Sequence, residues 1–452
     1  MKKFSRQELL VFLGIIVAGA IIQFLIFPIL ATNNGEYHLD YPVRDQYFYA
    51  GIARNILAGV PPENPYFSGS HYTPFWLQLS IVSFFQLFLN VYLAMKLITV
   101  FWLIIFLLFL RKYRPADWPL IAILVLFSSP LIWLYQPIAY SLIERGFAYF
   151  PAIIAMLILF FERKKKWFII PAAILLPFFH FALAAIFILG LVITYIQNRE
   201  KYRLLPLILL ALSSLSVVFI NSFDRYYGGF WPDLKLLIDF IDPFLHLFPL
   251  IIIILLARKS LRNYLPFIIA SFLVFVFINR FSFYAIVIFD IFVVLAAVDS
   301  FTAEKSFDRF KKGVVVLSLL AFFVQFLFLI LPGNPFYRGD VVWDQTLYQR
   351  PLDWIKANTD PKSVFAIWPL GQERSNLLFA VRNVYIGAGG GDVGLVPDER
   401  VEQVMKIYKN ISIPEEVDYV FYGPVEHLNF PDFSPKINAV YDDGIIKIYA
   451  AK

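Results

Sequence analysis

The sequence lacks cysteine and has little charge. Without cysteine, disulfide bonds, thiol catalysis and thiolate metal sites are all excluded. Only 16% of the 452 residues are charged and 60% are hydrophobic, whereas soluble proteins have roughly 25% and 45 to 50%. Such a composition needs an apolar solvent, so most of the chain is expected to lie in a membrane.

Long apolar runs recur as far as residue 332, and a run of about 18 residues or more can cross a bilayer core. The first run exceeds the roughly 7 to 15 apolar residues of a cleavable signal peptide, which predicts an uncleaved first helix. We expect about eleven membrane-spanning helices, near residues 8–32, 91–110, 118–138, 147–161, 167–177, 178–197, 204–221, 237–257, 264–280, 281–300 and 313–332. The run 73–89 is expected to lie along the outer membrane interface.

The distribution of basic residues predicts the orientation. Loops assigned to the cytoplasm carry 20 lysines and arginines, against seven on the outer side, and this bias is typical of cytoplasmic loops. The cytoplasmic segments are 1–7, 111–114, 162–166, 198–203, 258–263 and 301–312. The chain is thus expected to be a multi-pass protein of the cell membrane with a cytoplasmic N-terminus. The net charge of +6 follows from this bias and indicates no nucleic-acid partner.

Two domains are expected from the change in composition at residue 333. Residues 1–332 form the transmembrane module, with a first outer loop at 33–72, and residues 333–452 form a soluble, extracytoplasmic α/β domain. Short runs at 363–367, 417–422 and 445–449 are predicted strands, and the last follows a turn at 442–444. Within the membrane module, the short segments 167–177 and 178–197 predict a hairpin with His180 near its turn.

The first outer loop carries the leading candidate for catalysis. Residues 45–59 predict an aromatic, amphipathic helix at the interface that ends at Gly59. Asp45 would lie at its N-terminus, where free N–H groups and the helix dipole keep a carboxylate ionised as a base or a metal ligand. The simpler alternative is that Asp45 only caps the helix.

Further candidates lie on the predicted outer face, because an ionisable residue at a membrane boundary is costly unless it is paired or hydrated. Glu144 stands beside Arg145, and the alternative is a local ion pair. Arg280 stands between two spans, and the alternative is contact with lipid phosphates. Three further candidates are His71, His180 and Arg225. For each of them the alternative is a residue of a connecting segment or a hydrated group without a functional role.

These features together resemble the GT-C superfamily of integral membrane glycosyltransferases, which use polyprenyl-phosphate-linked sugars. The first similarity is an acid that opens an aromatic helix in the first outer loop, here Asp45-Gln46 through Gly59, followed by an interfacial helix that begins at 72–76. The second is an acid in the second outer loop, Glu144. The third is an arginine at the outer start of a late span, Arg280. Stretches 352–359, 418–421 and 446–449 resemble the soluble domains appended to such enzymes.

The resemblance implies a GT-C-like fold and a glycosyltransferase that moves a hexosyl or pentosyl group from a polyprenyl-phosphate donor to a glycan, lipid or protein acceptor, with inversion. It implies catalytic roles for Asp45 and Glu144. The implied ligands of the donor phosphate are Arg280, Arg54 and His71. The implied lining of the substrate cavity is His180, Arg225 and Tyr49.

A divalent cation, Mg²⁺ or Mn²⁺, is the cofactor that the resemblance allows, with Asp45 and Glu144 as oxygen ligands. The chain departs from the family in two ways. Gln46 stands where Glu is common, which weakens the acidic pair. The Trp-Trp-Asp motif of oligosaccharyltransferases is absent from the C-terminal region, which argues against N-glycosylation of protein.

Two alternatives from other functional classes remain open. The first is a transporter or flippase of lipid-linked sugar, favoured by Asp290 within a span and by Asp239 and Asp242 near another. The second is a non-catalytic membrane scaffold that displays its C-terminal domain to a partner. The clustering of acids in outer loops and the absence of an internal repeat favour the enzyme.

Overall fold

The computed structural model describes residues 4–26, 44–59, 76–127, 146–162, 165–198, 204–220, 258–277, 282–303, 313, 345–368, 378, 381–385 and 398–451. The first part of the chain is helical: α1 (Arg6–Ile21, continued by the π-helix Ile22–Ile26), α2 (Arg44–Leu57), α3 (Trp76–Phe85), α4 (Val91–Tyr113), α5 (Trp118–Phe127), α6 (Gly146–Phe161), α7 (Lys166–Phe179), α8 (Phe181–Asn198), α9 (Leu204–Ile220), α10 (Arg258–Phe277) and α11 (Ser282–Ala303). These bounds confirm nine of the eleven predicted spans as helices. The predicted spans 237–257 and 313–332 lie outside the described residues, apart from Gly313.

The rest of the described chain is mixed: α12 (Gln345–Asn358), β1 (Val364–Ala366), β2 (Asn383–Val384), α13 (Asp398–Tyr408), β3 (Tyr419–Tyr422), α14 (Pro424–Asn429), β4 (Ala439–Asp442) and β5 (Lys447–Ala450). The strands form one sheet in the order β2-β1-β3-β5-β4. β1 pairs in parallel with β2 and β3, and β5 pairs antiparallel with β3 and β4. Three of these strands were predicted, and the turn before β5 is confirmed by Gly444, at φ +88°, whose N–H bonds to Asp442.

Two compact units divide the described residues. The first comprises the described parts of Met1–Ile26, Met95–Phe219 and Gly229–Tyr337. The second comprises those of Phe27–Ala94, Ile220–Gly228 and Arg338–Lys452. The helices α2 and α3 therefore share a unit with the C-terminal sheet.

Apolar composition and outward-facing side chains mark the first unit as a membrane structure. Among the described helices, α1 (as Arg6–Leu25) and α4 are long and apolar enough to cross a membrane, and five further helices are apolar but shorter. On α9 the large side chains at 205, 208, 212 and 215 are exposed along one face, because residues three and four apart share a helix face. A continuous apolar face of this kind suits lipid.

Helix ends at the predicted cytoplasmic side are charged. Arg114, after α4, pairs with Asp117 at 3.3 Å and with Asp299 of α11, and the Tyr264 hydroxyl of α10 donates to Asp299. Arg111 pairs with Glu8 of α1 at 3.8 Å. These residues define the charged end of the bundle, and the helix ends that form it are those that border the predicted cytoplasmic segments.

One predicted helix boundary differs from the structure. The span expected from residue 264 begins as helix α10 at Arg258, so the segment 258–263 assigned to the cytoplasmic side is helical. The physical reason is that hydropathy marks where apolar side chains begin, whereas a helix continues for one or two turns into its polar flank. The same reason explains why α4 extends past residue 110 to Tyr113.

The sheet of the second unit is covered on both faces. Alternate strand residues point to opposite sides, so Phe365 and Phe421 join α12 in one cluster while Ala366 and Val420 join α13 in the other. Parallel strands covered by helices on both sides define an α/β architecture. Tyr92, at the start of α4, packs against the α12 side.

Candidate active site

The helix predicted over residues 45–59 is confirmed as α2. Asp45 lies in its first turn, where unpaired backbone N–H groups and the helix dipole favour a negative charge. The backbone of Asp45 is described, and its side chain lies outside the described residues. Ala58 and Gly59 donate to the carbonyls of Arg54 and Ile56, and Gly59 ends the helix at φ +66°, a conformation that glycine adopts without strain.

One face of α2 is buried. Tyr49 is only 4% exposed, and Ala50, Ile52 and Ala53 are almost fully covered. The hydroxyl of Ser83 on α3 lies 2.8 Å from the carbonyl oxygen of Ala53, and Leu79 and Val82 of α3 are buried as well. The helix therefore packs along α3. Tyr49, which was predicted to line a substrate cavity, is one of the side chains of this packed face.

The C-terminal end of α2 forms a buried polar cluster with the sheet. Arg54 Nη2 donates to the side-chain oxygens of Asn55 at 2.6 Å and Asn383 at 2.7 Å. Asn55 Nδ2 donates to the same oxygen of Asn383 at 2.9 Å. Burial, with the nearby charge of Arg382, lowers the pKa of Arg54 to about 9, so the guanidinium stays charged at neutral pH. The predicted role of Arg54 in binding donor phosphate remains a prediction.

His180 stands between α7 and α8, as the sequence predicted. Its backbone is extended (φ −163°, ψ 99°) and its side chain is 2% exposed. The Leu183 N–H donates to His180 Nδ1 at 3.3 Å, in the manner of a helix N-cap. An accepting Nδ1 carries no proton, so in the neutral ring the proton is on Nε2. The side chain thus presents a hydrogen-bond donor at the turn.

Two tyrosines surround this histidine. The ring of Tyr149 on α6 lies 4.8 Å from that of His180, and the ring of Tyr284 on α11 lies 4.6 Å from it. Tyr149, His180 and Tyr284 define the aromatic end of the bundle, because they sit at the opposite helix ends from the charged end. A donor N–H among phenol rings can bind a sugar hydroxyl or a phosphate oxygen.

Lys96 on α4 is one of the seven lysines and arginines assigned to the outer side, and the structure buries it inside the bundle. It is fully buried, one turn before Thr99, whose methyl group borders Gly146 at the start of α6. A buried ammonium in a membrane helix needs a compensating negative charge or polar partner. The signal that could have found it is a lysine six residues into an apolar run.

The other predicted site residues lie outside the described residues: Glu144, Arg280, His71 and Arg225. Tyr284, four positions after Arg280 in the sequence, lies in the first turn of α11 and places the start of this helix at the aromatic end. Among the described residues, no group of three or more His, Asp or Glu side chains could hold a metal ion. The side chains of the predicted cation ligands Asp45 and Glu144 lie outside the described residues, so this absence does not extend to them.

No protein-family model matches the sequence, and no curated protein matches it. Solved structures do match. ArnT from Cupriavidus metallidurans, in the apo state, aligns with a TM-score of 0.54 and 15% identity over 97% of this chain and 98% of that chain. The apo oligosaccharyltransferase of Archaeoglobus fulgidus aligns with a TM-score of 0.51 and 12% identity over 93% of this chain and 70% of that chain.

A third structure is the archaeal oligosaccharyltransferase AglB from Archaeoglobus fulgidus, in complex with an inhibitory peptide and a dolichol-phosphate. It aligns with a TM-score of 0.50 and 13% identity over 92% of this chain and 70% of that chain. The chain has the GT-C fold. This GT-C fold confirms the resemblance found in the sequence and the polytopic helical architecture that it implied. At these identities the likeness concerns the fold, and the chemistry has to be argued from the residues.

Proposed function

We propose that this GT-C protein is a membrane glycosyltransferase that moves a sugar from a polyprenyl-phosphate donor to an acceptor hydroxyl at the outer membrane face. The observation that carries the proposal is the fold, which extends over nearly the whole chain and nearly the whole of ArnT. The dolichol-phosphate complex of AglB supports a donor of the same lipid-phosphate class. The presence of α2, with Asp45 in its first turn, supports a base in the first outer loop.

Asp45 is the proposed general base. It takes the proton of the acceptor hydroxyl while the acceptor oxygen forms its bond to the anomeric carbon and the bond from that carbon to the phosphate oxygen breaks. The polyprenyl phosphate leaves with the electron pair. Attack from the face opposite the phosphate inverts the anomeric centre, and the N-terminus of α2 keeps the carboxylate ionised before the reaction.

Cationic groups stabilise the departing phosphate in this proposal. A guanidinium binds two phosphate oxygens in a fork, and Arg280 is proposed for this contact, with His71 beside it. The proposed lining of the sugar site is His180, Tyr49 and Arg225.

Glu144 is proposed to orient a reacting group. Together with Asp45 it would supply carboxylate oxygens, which Mg²⁺ and Mn²⁺ prefer, and a bound cation would add positive charge near the phosphate. The chain's own part is to provide those two carboxylates.

We propose the following topology for this function. The charged end faces the cytoplasm, so the N-terminus is cytoplasmic, and the chain crosses the cell membrane about eleven times within residues 1–332. Residues 333–452 then form an extracytoplasmic α/β domain, and the aromatic end faces outward. Acceptor and donor would meet on that outer side.

Transport of a lipid-linked sugar is a second candidate, favoured by one observation. Asp290 of α11 is 1% exposed, and its Oδ1 has no hydrogen-bond partner among the described residues. A carboxyl group buried in a membrane helix is a candidate for ion or substrate passage. The scaffold alternative has no such support.

The deciding experiment is release of sugar from radiolabelled polyprenyl-phosphate monosaccharides by purified wild-type protein and by Asp45→Asn. We expect wild type to consume one donor and the variant to lose on the order of 100-fold or more, the range of general-base catalysis. Asp353→Asn, an exposed aspartate of α12, is the matched control and should be fully active.

Two results would overturn the proposal. Full turnover by a folded, donor-binding Asp45→Asn would remove the assigned base. Movement of donor across vesicle membranes by the wild type, with no sugar released from any donor and Mg²⁺ or Mn²⁺ present, would establish transport instead.

A further inference from the structure

Two neighbouring residues at the start of β2 contact different helices. Arg382 is the last residue before β2, and Asn383 is its first residue. Arg382 reaches into the helix α12, whereas Asn383 reaches α2. Both side chains are buried. The same two residues therefore connect the C-terminal domain to the helix that carries the proposed base.

Arg382 fixes β2 to the C-terminal end of α12. Its Nη2 donates to the carbonyl oxygens of Ile355, Lys356 and Thr359 at 3.0, 3.0 and 2.6 Å, and its Nε donates to the Thr359 hydroxyl at 2.7 Å. The last carbonyls of a helix lack partners within the helix and carry partial negative charge. A cation that satisfies several of them holds the strand firmly against α12.

Asn383 is thus held in place by its neighbour Arg382 and by the sheet. Its backbone pairs in register with Val364 of β1, and its side-chain oxygen accepts from Arg54 and Asn55. These two donors lie between two and three turns from Asp45 on the same helix. A hydrogen bond from a charged guanidinium is stronger than one between neutral groups, and the two partners of this bond are more than 300 positions apart in the chain.

The helix α2 also contacts α3. Ser83 of α3 lies 2.8 Å from the Ala53 carbonyl oxygen, one residue before Arg54. A shift or rotation of α2 would therefore break buried contacts both to α3 and to Asn383. Such fixation is what a helix needs if it is to present a catalytic group in one position.

We propose that Asn383 is a positioning residue: the C-terminal domain, through Asn383, holds α2 in the one register at which Asp45 meets the acceptor. This inference rests on the proposed function. Arg54 then serves as the buried cation of the clasp formed by Arg54, Asn55 and Asn383. The C-terminal domain then contributes to sugar transfer by positioning α2.

The first test measures position without activity. The chain has no cysteine, so Leu57→Cys at the exposed end of α2 and Leu428→Cys on the exposed face of α14 can carry two spin labels in the full-length protein. We expect one narrow distance distribution by pulsed electron resonance. Asn383→Ala should broaden it, whereas Asn383→Asp, which keeps the accepting oxygen, should leave it narrow. Asn358→Ala, an exposed asparagine of α12, is the matched control.

The second test measures transfer. Asn383→Ala should lower kcat by about 10- to 100-fold, the effect of a small misplacement of a reacting group, with the donor KM nearly unchanged. Asn383→Asp should restore most of the loss. Where Asn383→Ala is recovered in low yield, Asn383→Ser, which is also too short to reach both donors, replaces it.

The outcomes separate the inference from the proposed function. An unchanged distance distribution in Asn383→Ala overturns the positioning role whatever the activity. A broadened distribution with unchanged kcat also overturns it, because α2 would then move without consequence. If the wild type transfers no sugar, the proposed function and the catalytic part of this inference fail together, while the distance measurement still decides whether Asn383 holds α2.

Discussion

The charged end and the aromatic end of the helix bundle bury polar groups in different ways. At the charged end every ionised group described above has an opposite charge beside it, as Arg114 has Asp299 and Arg111 has Glu8. At the aromatic end His180 is surrounded by the rings of Tyr149 and Tyr284. The charged end thus pairs each charge with an opposite charge, whereas the aromatic end places one imidazole among aromatic rings.

The difference predicts that substitutions at the two ends affect different properties. At the charged end, stability should change and the activity of the folded protein should not. At the aromatic end, activity should change more than stability. The following substitutions test whether stability and activity depend on different ends of the bundle.

The largest expected effect is on activity at His180. His180→Asn keeps a side-chain acceptor for the Leu183 N–H, because asparagine is a good N-cap, but it removes the ring and the Nε2 donor. We expect a loss of roughly 10- to 100-fold in kcat/KM, which corresponds to one hydrogen bond of about 1.5–3 kcal/mol to a charged group. Sugar release from the donor measures the activity, and the unfolding temperature in detergent should stay near the wild-type value.

Two companions make this result interpretable. His180→Ala removes the cap as well and should also lower stability by about 1 kcal/mol. His427→Asn, an exposed histidine in the C-terminal domain, should change nothing. An active His180→Asn would show that His180 is only a cap, and the aromatic end would lose its assigned role.

The next effect is on stability at the charged end. Arg114→Gln leaves the Asp299 carboxylate without its guanidinium partner. Because the Asp299 side chain is 31% exposed, we expect a loss of about 1–3 kcal/mol, below the value for a fully buried pair. The unfolding temperature should fall by a few degrees, while sugar transfer per folded molecule stays the same.

The double variant Arg114→Gln/Asp299→Asn removes both charges and keeps an acceptor for the Tyr264 hydroxyl. It should recover much of the lost stability, because neither remaining group is charged and unpaired. Arg6→Gln, an exposed arginine at the start of α1, controls for the loss of a positive charge. A fall in kcat without a fall in unfolding temperature for Arg114→Gln would contradict the assignment of this end to structure.

Apolar runs and turn residues are local signals, and they were enough to predict nine described helices and three strands of the described sheet. His180 was predicted near the turn of a hairpin because both flanks of the segment 167–197 are basic and were assigned to the same side of the membrane. The helix α2 was predicted from its amphipathic pattern and the glycine that ends it.

Contacts between distant residues could not be predicted in this way. Nothing near Arg114 in the chain indicates Asp299, and nothing near Arg54 indicates Asn383. Arg54 was predicted to bind the donor phosphate, and nothing near it in the sequence indicated that the fold would place two amide side chains against it. The strands β2 and β4 were missed because β2 has only two residues and β4 is mostly exposed, so neither shows the apolar run by which β1, β3 and β5 were predicted.

The smallest expected effect is at Tyr284, and it separates the ring from the hydroxyl. Tyr284→Phe keeps the ring beside His180, so we expect transfer within about twofold of the wild-type value. Tyr284→Leu removes the aromatic contact, which is worth about 0.5–1.5 kcal/mol, and should lower the unfolding temperature slightly and raise the donor KM. Steady-state kinetics with thermal unfolding of each variant measure both quantities. If Tyr284→Phe were as inactive as His180→Asn, the phenol hydroxyl itself would contact the ligand, and the aromatic end would be a polar site built from two donors instead of a histidine held in place by rings.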